Sequence, residues 1–160
     1  MVILLMGVTG SGKTTIGVAL AESMQCQFVD ADEFHSLANV AKMRSGIPLD
    51  DTNRAPWLAS LHDAISGWLA TQTNVVLACS ALKQSYRDQL LVSPDVKLVY
   101  LRGSRELISQ RLSQRQGHYM DPSLLPSQFA ALEEPQDAVV VDAAADVPDI
   151  VAQIRMALGA

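Results

Sequence analysis

The chain alternates short apolar runs with longer segments in which apolar residues recur every three or four positions. Five short runs are typical of strands buried on both faces of a sheet. They cover residues 2–6, 27–30, 75–79, 98–101 and 138–142. Each run is followed by turn-forming or polar residues, so the pattern predicts five separate strands.

The segments between these strands carry apolar residues at helical spacing. The spacing predicts a helix that ends near Met24, a second over 33–45 with Leu37 on its apolar side, and a third that begins within 51–56 with Asp51 as its N-cap. Further helices are predicted after residue 83, after Ser104, through Phe129 and over the last residues of the chain. Because strands and helices alternate, right-handed crossovers predict an α/β fold, a three-layer sandwich around a five-stranded parallel sheet.

The first predicted strand leads directly into the octet Gly-Val-Thr-Gly-Ser-Gly-Lys-Thr at residues 7–14. It fits the phosphate-binding loop GxxxxGK(S/T), and a predicted helix follows it, as the mechanism of that loop requires. Glycines allow successive backbone N–H groups to turn toward phosphate oxygens at a helix N-terminus. Lys13 would then reach the β- and γ-phosphates, and the Thr14 hydroxyl would hold Mg²⁺. The alternative is a glycine-rich turn that matches by chance.

Length and charge narrow the class of protein. A chain of 160 residues that is 49% hydrophobic predicts one folded domain over residues 1–160. Its net charge of −5 argues against a nucleic-acid partner or an anionic membrane surface. No apolar stretch is long enough to span a membrane, and the first strand follows Met1 closely. We therefore expect a cytoplasmic protein.

Two aspartates stand at the end of the second predicted strand, where ligands bind in open parallel sheets. One of them could simply cap the next helix. We expect Asp30 to be the more structural of the two and Asp32 the more chemical. Because the third strand lacks the terminal acid that many phosphate-loop proteins use for Mg²⁺, Asp32 is also the candidate metal ligand beside Thr14.

The stretch after residue 115 is polar, contains Gly117 and is bounded by Pro122, which is typical of a mobile flap. We expect a small lid around 115–127. Arg111 and Arg115 precede it, one helical turn apart.

Several segments together resemble the gluconokinases of bacteria and animals. They are the octet at 7–14, Asp30-Ala31-Asp32 with His35, Asn39 and Lys42-Met43, Gly46-Ile47-Pro48-Leu49, Asp51 with Arg54-Ala55-Pro56-Trp57-Leu58, Cys79-Ser80-Ala81-Leu82-Lys83 with Tyr86-Arg87, and Gly117-His118-Tyr119. The resemblance implies ATP-dependent phosphorylation of D-gluconate to 6-phospho-D-gluconate, on a fold similar to nucleotide and shikimate kinases, commonly as a homodimer. Ser36 stands where such kinases usually have Pro, and Asn53 where Asp is expected.

With this resemblance, roles can be assigned to individual residues. Lys13, Asp32 and Arg115 are the candidate catalytic residues, with Asp32 receiving the hydrogen bond of the attacking hydroxyl. The resemblance implies an adenine contact for Arg111 and a phosphate contact for Arg115. The candidate nucleotide contacts are Gly7, Thr9, Gly10, Ser11, Gly12, Lys13, Thr14, Thr15 and Arg111.

A gluconate site needs a cation that can grip a carboxylate. The candidates are Arg54, Lys83, Arg87 and His118, together with Asp32. The alternatives are that Arg54 pairs with Asp50 or Asp51, that Lys83 and Arg87 form a solvated helix face, and that His118 is a surface loop residue.

Other functions fit the sequence less well. A GTP-driven switch needs an Asn-Lys-x-Asp element, which the sequence lacks. An ATPase that serves as an assembly module fits poorly with the missing acid on the third strand. Among kinases, the alternative acceptor is shikimate or another small polyhydroxy acid.

Overall fold

The computed structural model of the protein describes residues 1–114 and 122–160. Five strands form one sheet in the order β2-β3-β1-β4-β5, and every neighbouring pair is parallel. The strands are β1 Val2–Met6, β2 Gln27–Asp30, β3 Val75–Ala78, β4 Val96–Arg102 and β5 Val139–Asp142. The helices are α1 Lys13–Met24, α2 Leu37–Arg44, α3 Asp51–Ala70, α4 Gln84–Leu90, α5 Arg105–Ser113, α6 Leu125–Ala131 and α7 Val147–Leu158, with short 3₁₀ turns at Ala31–Phe34 and Pro122–Leu124.

The two faces of the sheet bury separate cores. Alternate residues of β1 point to opposite faces, as the period of a strand requires. Leu4 packs in the core under α3 and α4, whereas Leu5 packs in the core under α1 and α7. The predicted three-layer α/β sandwich with a five-stranded parallel sheet is therefore confirmed.

The helix predicted over 33–45 is divided in the structure. Asp30 accepts a hydrogen bond from the backbone of Asp32 and begins the short 3₁₀ turn. Ser36 accepts one from the backbone of Asn39 and begins α2. Because the helix restarts at Leu37, that side chain is 91% exposed instead of lying on the apolar side, and the buried face of α2 carries Asn39 and Met43.

Helix α3 begins at Asp51, within the predicted range, but its N-cap is one residue earlier than predicted. Asp50, not Asp51, is the N-cap, and its carboxylate accepts from the backbone of Asn53 at 2.7 Å. The side-chain oxygen of Asn53 accepts in return from the backbone of Asp50 at 3.1 Å. The unexpected asparagine thus completes a reciprocal capping box, a motif that satisfies two backbone donors at a helix end.

Among the described residues, no helix combines the length and the apolar content that crossing a membrane requires.

The capping box generates a stability prediction. Replacing Asp50 by Ala leaves the backbone N–H of Asn53 without its acceptor, which should cost about 1 kcal/mol of the free energy of unfolding. For a domain of this size, that loss lowers the melting temperature by about 2–4 °C. Asp63→Ala is the matched control, because Asp63 is exposed in the middle of α3. Equal melting temperatures for the two variants would contradict the role given to Asp50.

Candidate active site

The octet at 7–14 forms the turn between β1 and α1. Gly10 and Gly12 have φ angles of 79° and 101°, in the left-handed region where side chains are strained. Gly12 is also the N-cap of α1, so the loop ends on the first turn of a helix whose N–H groups carry partial positive charge. The loop therefore has the backbone geometry that an anion-binding turn needs.

Polar groups of this loop are poorly satisfied by the protein itself. The hydroxyls of Thr9 and Ser11 are buried and have no hydrogen-bond partner among the described residues. The Lys13 ammonium donates to the loop's own carbonyls, at 2.8 Å from Gly7 and 3.0 Å from Val8. Buried hydroxyls normally find a partner, so this arrangement fits a loop that receives a polar ligand.

A cavity of about 350 Å³ lies beside the loop, and we call it the helix-side cavity. Its wall includes Gly12, Thr15, Ile16, Arg111 and Val147. The Arg111 guanidinium donates to the carbonyl of Ser11 at 3.2 Å and to that of Ala143 at 2.6 Å. Arg111 thus joins the loop to the segment after β5 and stands at the cavity wall, which has room for a flat aromatic group.

On the other side of the loop lies a smaller polar space, the loop cleft. It is lined by Lys13, Thr14, Asp30, Asp32 and Ser80, among others. Hydroxyl and carboxylate oxygens are the ligands that Mg²⁺ prefers, and this space gathers them beside the loop. The residues present therefore fit a magnesium ion accompanied by phosphate groups.

A second cleft adjoins the first, and we call it the outer cleft. Its wall includes His35, Arg54 and Trp57. Asp32, Ser80 and Gln128 line both clefts. The structure thus places Asp32 at the boundary between the phosphate-binding loop and a second small-molecule space, while Asp30 serves the turn, as its predicted structural role requires.

Arg54 lies at the wall of the outer cleft, and among the described residues it has no acidic partner. Its guanidinium donates to the carbonyl of Leu49 at 2.6 Å and to the Tyr86 hydroxyl at 3.3 Å. The alternative pairing with Asp50 or Asp51 is not formed. Arg54 is half-buried, so part of its planar donor set is still accessible.

Lys83 forms an ion pair with Asp51. Its ammonium is 3.1 Å from the Asp51 carboxylate, which also accepts from the Tyr86 hydroxyl at 2.5 Å. The hydrogen bond from Tyr86 and the one from Lys83 hold the pKa of Asp51 below its usual range. Asp51 therefore ties α3 to α4 instead of capping its own helix.

The environment of Arg87 fits neither prediction from the sequence, a cation that binds the substrate or part of a solvated helix face. It is 1% exposed, so it is not part of a solvated face. Its guanidinium donates to the carbonyls of Ala81, Leu82 and Glu133 at 2.8, 3.0 and 2.7 Å. Burial lowers the pKa of this side chain. A further hydrogen bond goes to the Gln84 side chain. Since the guanidinium is buried and its terminal nitrogens donate to these groups, Arg87 supports the loop after β3 and does not offer a fork to a substrate carboxylate.

Sequence reasoning assigned no role to several residues that line the clefts, among them His35 and Gln128. His35 lies in the outer cleft, stacked on Trp57 with ring centroids 4.3 Å apart. His35 is among the residues that carry the family resemblance, but no role was assigned to it from the sequence. Gln128 accepts from the backbone of Thr9 at 2.6 Å although the two are 119 positions apart, and no sequence pattern indicated that contact. Arg115 and His118 lie outside the described residues.

Comparison with known proteins agrees with this geometry. A family described as an AAA domain matches residues 2–144. A protein named probable gluconokinase from Mus musculus is 43% identical, over 98% of this chain and 97% of its own length. A crystal structure of a gluconokinase from Sinorhizobium meliloti 1021 superposes with a TM-score of 0.86 at 41% identity, covering 98% of this chain and 90% of that chain.

A shikimate kinase structure from Bacteroides thetaiotaomicron has a TM-score of 0.74 at 19% identity, covering 100% of this chain and 99% of that chain, and shares the fold alone. The full-length identity to proteins named gluconokinase is more than twice as high. This chain therefore belongs to the gluconokinase family of kinases, within the wider family that the AAA-domain match describes.

Proposed function

We propose that the protein transfers the γ-phosphoryl group of ATP to the primary hydroxyl of D-gluconate, giving 6-phospho-D-gluconate and ADP. The observation that carries the proposal is the shared wall of the loop cleft and the outer cleft, formed by Asp32, Ser80 and Gln128. An acceptor in the outer cleft would meet the phosphate chain at this wall. The names of the full-length relatives support gluconate as that acceptor over shikimate.

ATP fits the two spaces on either side of the loop. The adenine would occupy the helix-side cavity beside Arg111, and the phosphates would bind the loop amides and hydroxyls from Gly7 to Thr15. We expect the Lys13 ammonium to exchange the loop carbonyls for phosphate oxygens. Mg²⁺, when bound, neutralises charge on the phosphate oxygens, and Thr14 and Asp32 are the residues that would hold it.

Asp32 is proposed to orient the attacking hydroxyl and to accept its proton. The hydroxyl oxygen forms a bond to the γ-phosphorus, the bond from that phosphorus to the β-phosphate oxygen breaks, and ADP leaves. Because the transition state of phosphoryl transfer is loose, the protein contributes mainly alignment and charge neutralisation.

Arg54 is proposed to bind the gluconate carboxylate, since its half-buried guanidinium lies at the cleft wall and has no carboxylate partner in the described structure. Lys83, which is paired with Asp51, is proposed as a secondary cation toward the substrate. The roles of Arg115 at the phosphates and of His118 at the substrate stay predictions, as does a lid around 115–127 on a single domain over 1–160.

The cellular setting is a further proposal. We infer a cytoplasmic homodimer that acts on small molecules and has no nucleic-acid or membrane partner. The net charge of −5 supports the absence of polyanionic partners, because the protein's own field repels them.

A coupled assay of ATP consumption tests the function directly. With gluconate, shikimate, glucose and glycerate as acceptors, we expect gluconate to exceed glucose by at least about 100-fold in kcat/KM, since glucose leaves the Arg54 guanidinium without a carboxylate.

Lys13→Ala should abolish turnover while the melting temperature stays unchanged, because the ammonium acts on the transferring phosphate. Equal use of gluconate and glucose, or a Lys13→Ala enzyme within about tenfold of wild type, would reject the proposal.

The role of Asp32 predicts a split between kinetic constants. Asp32→Asn removes the proton acceptor but keeps the shape, so kcat should fall by about 10²–10⁴-fold, as is typical for loss of a general base. The KM for ATP should change far less. Glu33→Gln is the comparison variant, because Glu33 is an exposed carboxylate next to Asp32 in the same turn; an unchanged kcat in Asp32→Asn would leave Asp32 with no part in the reaction.

Arg54 provides a test of carboxylate recognition. Lys at this position keeps the charge but loses the planar pair of donors. Loss of charge-assisted hydrogen bonds should lower kcat/KM for gluconate by about 10- to 100-fold, with the KM for ATP unchanged. Arg102→Lys is the matched control, since Arg102 is exposed at the end of β4. If both variants matched wild type with gluconate, another residue would have to bind the carboxylate.

A further inference from the structure

The orientation of the Asn39 amide is fixed by a backbone carbonyl. Asn39 is 7% exposed, and its side-chain nitrogen lies 2.9 Å from the carbonyl oxygen of Asn53. A carbonyl can only accept a hydrogen bond, so the group facing it must be the NH₂ of the amide. The position of the donor end of Asn39 therefore follows from chemistry.

That NH₂ group determines the tautomer of His35. The same Asn39 nitrogen is 3.3 Å from Nδ1 of the His35 ring. Because an NH₂ group donates and does not accept, Nδ1 must be the accepting nitrogen. In the neutral ring, the proton then resides on Nε2.

The surroundings also keep the His35 ring neutral. The ring stacks on Trp57 with an interplanar angle of 11°. A protonated ring would carry a second N–H directed at the Asn39 donor, so the contact with Asn39 favours the neutral form.

Nε2 is the polar atom of His35 left for a ligand. Within the described part of the chain it has no hydrogen-bond partner, and His35 lines the outer cleft together with Asp32 and Arg54. We propose that His35 is a specificity-determining residue whose Nε2–H donates to a hydroxyl oxygen of the polyol acceptor while Arg54 binds its carboxylate. The inference rests on the proposed gluconate kinase function and adds a residue that recognises a hydroxyl group of the acceptor.

Two substitutions separate this role from a purely structural one. In His35→Asn, the amide oxygen can stand near the position of Nδ1 and accept from Asn39, but no donor replaces Nε2. In His35→Gln, the longer side chain can place an NH₂ group near the position of Nε2. The proposal therefore expects His35→Asn to keep the melting temperature but to lose about 10-fold or more in kcat/KM for gluconate, the loss expected for one buried hydrogen bond with its partner left unpaired.

His35→Gln should recover most of the gluconate activity, even if its melting temperature falls. In both variants the KM for ATP should stay that of wild type. If His35→Asn matched wild type with gluconate, or retained more activity than His35→Gln, the hydrogen bond with Asn39 would be the only role of His35, and the inference would be overturned.

Singly deoxygenated gluconates identify the contact. For the analogue that lacks the hydroxyl bound by His35, wild type should have a lower kcat/KM than with gluconate, and His35→Asn should have the same kcat/KM as wild type. For the other analogues, His35→Asn should lower kcat/KM as much as it does for gluconate. An equal effect of His35→Asn on gluconate and on every analogue would also overturn the inference.

Absence of gluconate turnover by the wild type would overturn the proposed function together with this inference, whereas wild-type turnover with unchanged His35 variants would overturn the inference alone.

Discussion

The site depends on the backbone turn at residues 7–14, which follows β1, a strand held in place by its neighbours. All five residues of β1 are buried, and β1 is bonded to β3 on one side and β4 on the other. Its side chains alternate between the two cores, so any shift of β1 would disturb both. The left-handed glycines of the loop then place backbone donors at a fixed point of the fold, and every other part of the site is arranged around that point.

The connecting segments at this edge of the sheet are held by side-chain donors. Loops leave carbonyl oxygens without partners in the sheet or helices, and a buried carbonyl needs a donor. Side chains that supply such donors include Trp57 to Ala31 at 2.7 Å, Arg54 to Leu49 at 2.6 Å, Arg111 to Ala143 at 2.6 Å and Arg87 to Glu133 at 2.7 Å. An arginine has five N–H donors, so it can hold a loop and still face a ligand if it is partly exposed. Arg54 and Arg111 are half-buried and keep that capacity, whereas Arg87 is fully buried.

The sequence predicted the type of an element, helix or strand, where the local pattern and burial agree. It did not predict the helix cap where two neighbouring residues are equally good caps. The apolar run before the octet could only be a buried strand, and it is one. Asp50 and Asp51 are both good caps by residue type. The choice between them was made by Asn53, which returns the hydrogen bond to Asp50, and by Tyr86 and Lys83 of the distant α4 segment, which engage Asp51. Likewise, Ser36 divided a helix that apolar spacing predicted as continuous, because a cap competes with helix continuation.

The sequence by itself determined the chemistry that local order can encode: a glycine-rich turn with Lys13 and Thr14 between a strand and a helix, and Asp32 at a strand end. Only the tertiary structure decided which residues of the same type are buried and which line a cleft. Arg54 and Arg87 are both arginines, but Arg87 is buried against carbonyls of the loop after β3 and of Glu133, whereas Arg54 lies at a cleft. His35 gains its neutral, oriented ring from Trp57 and Asn39, and Gln128 reaches the phosphate-binding loop from the far end of the chain. Hydrogen-bond partners and burial are properties of the folded neighbourhood, and no local pattern in the sequence records them.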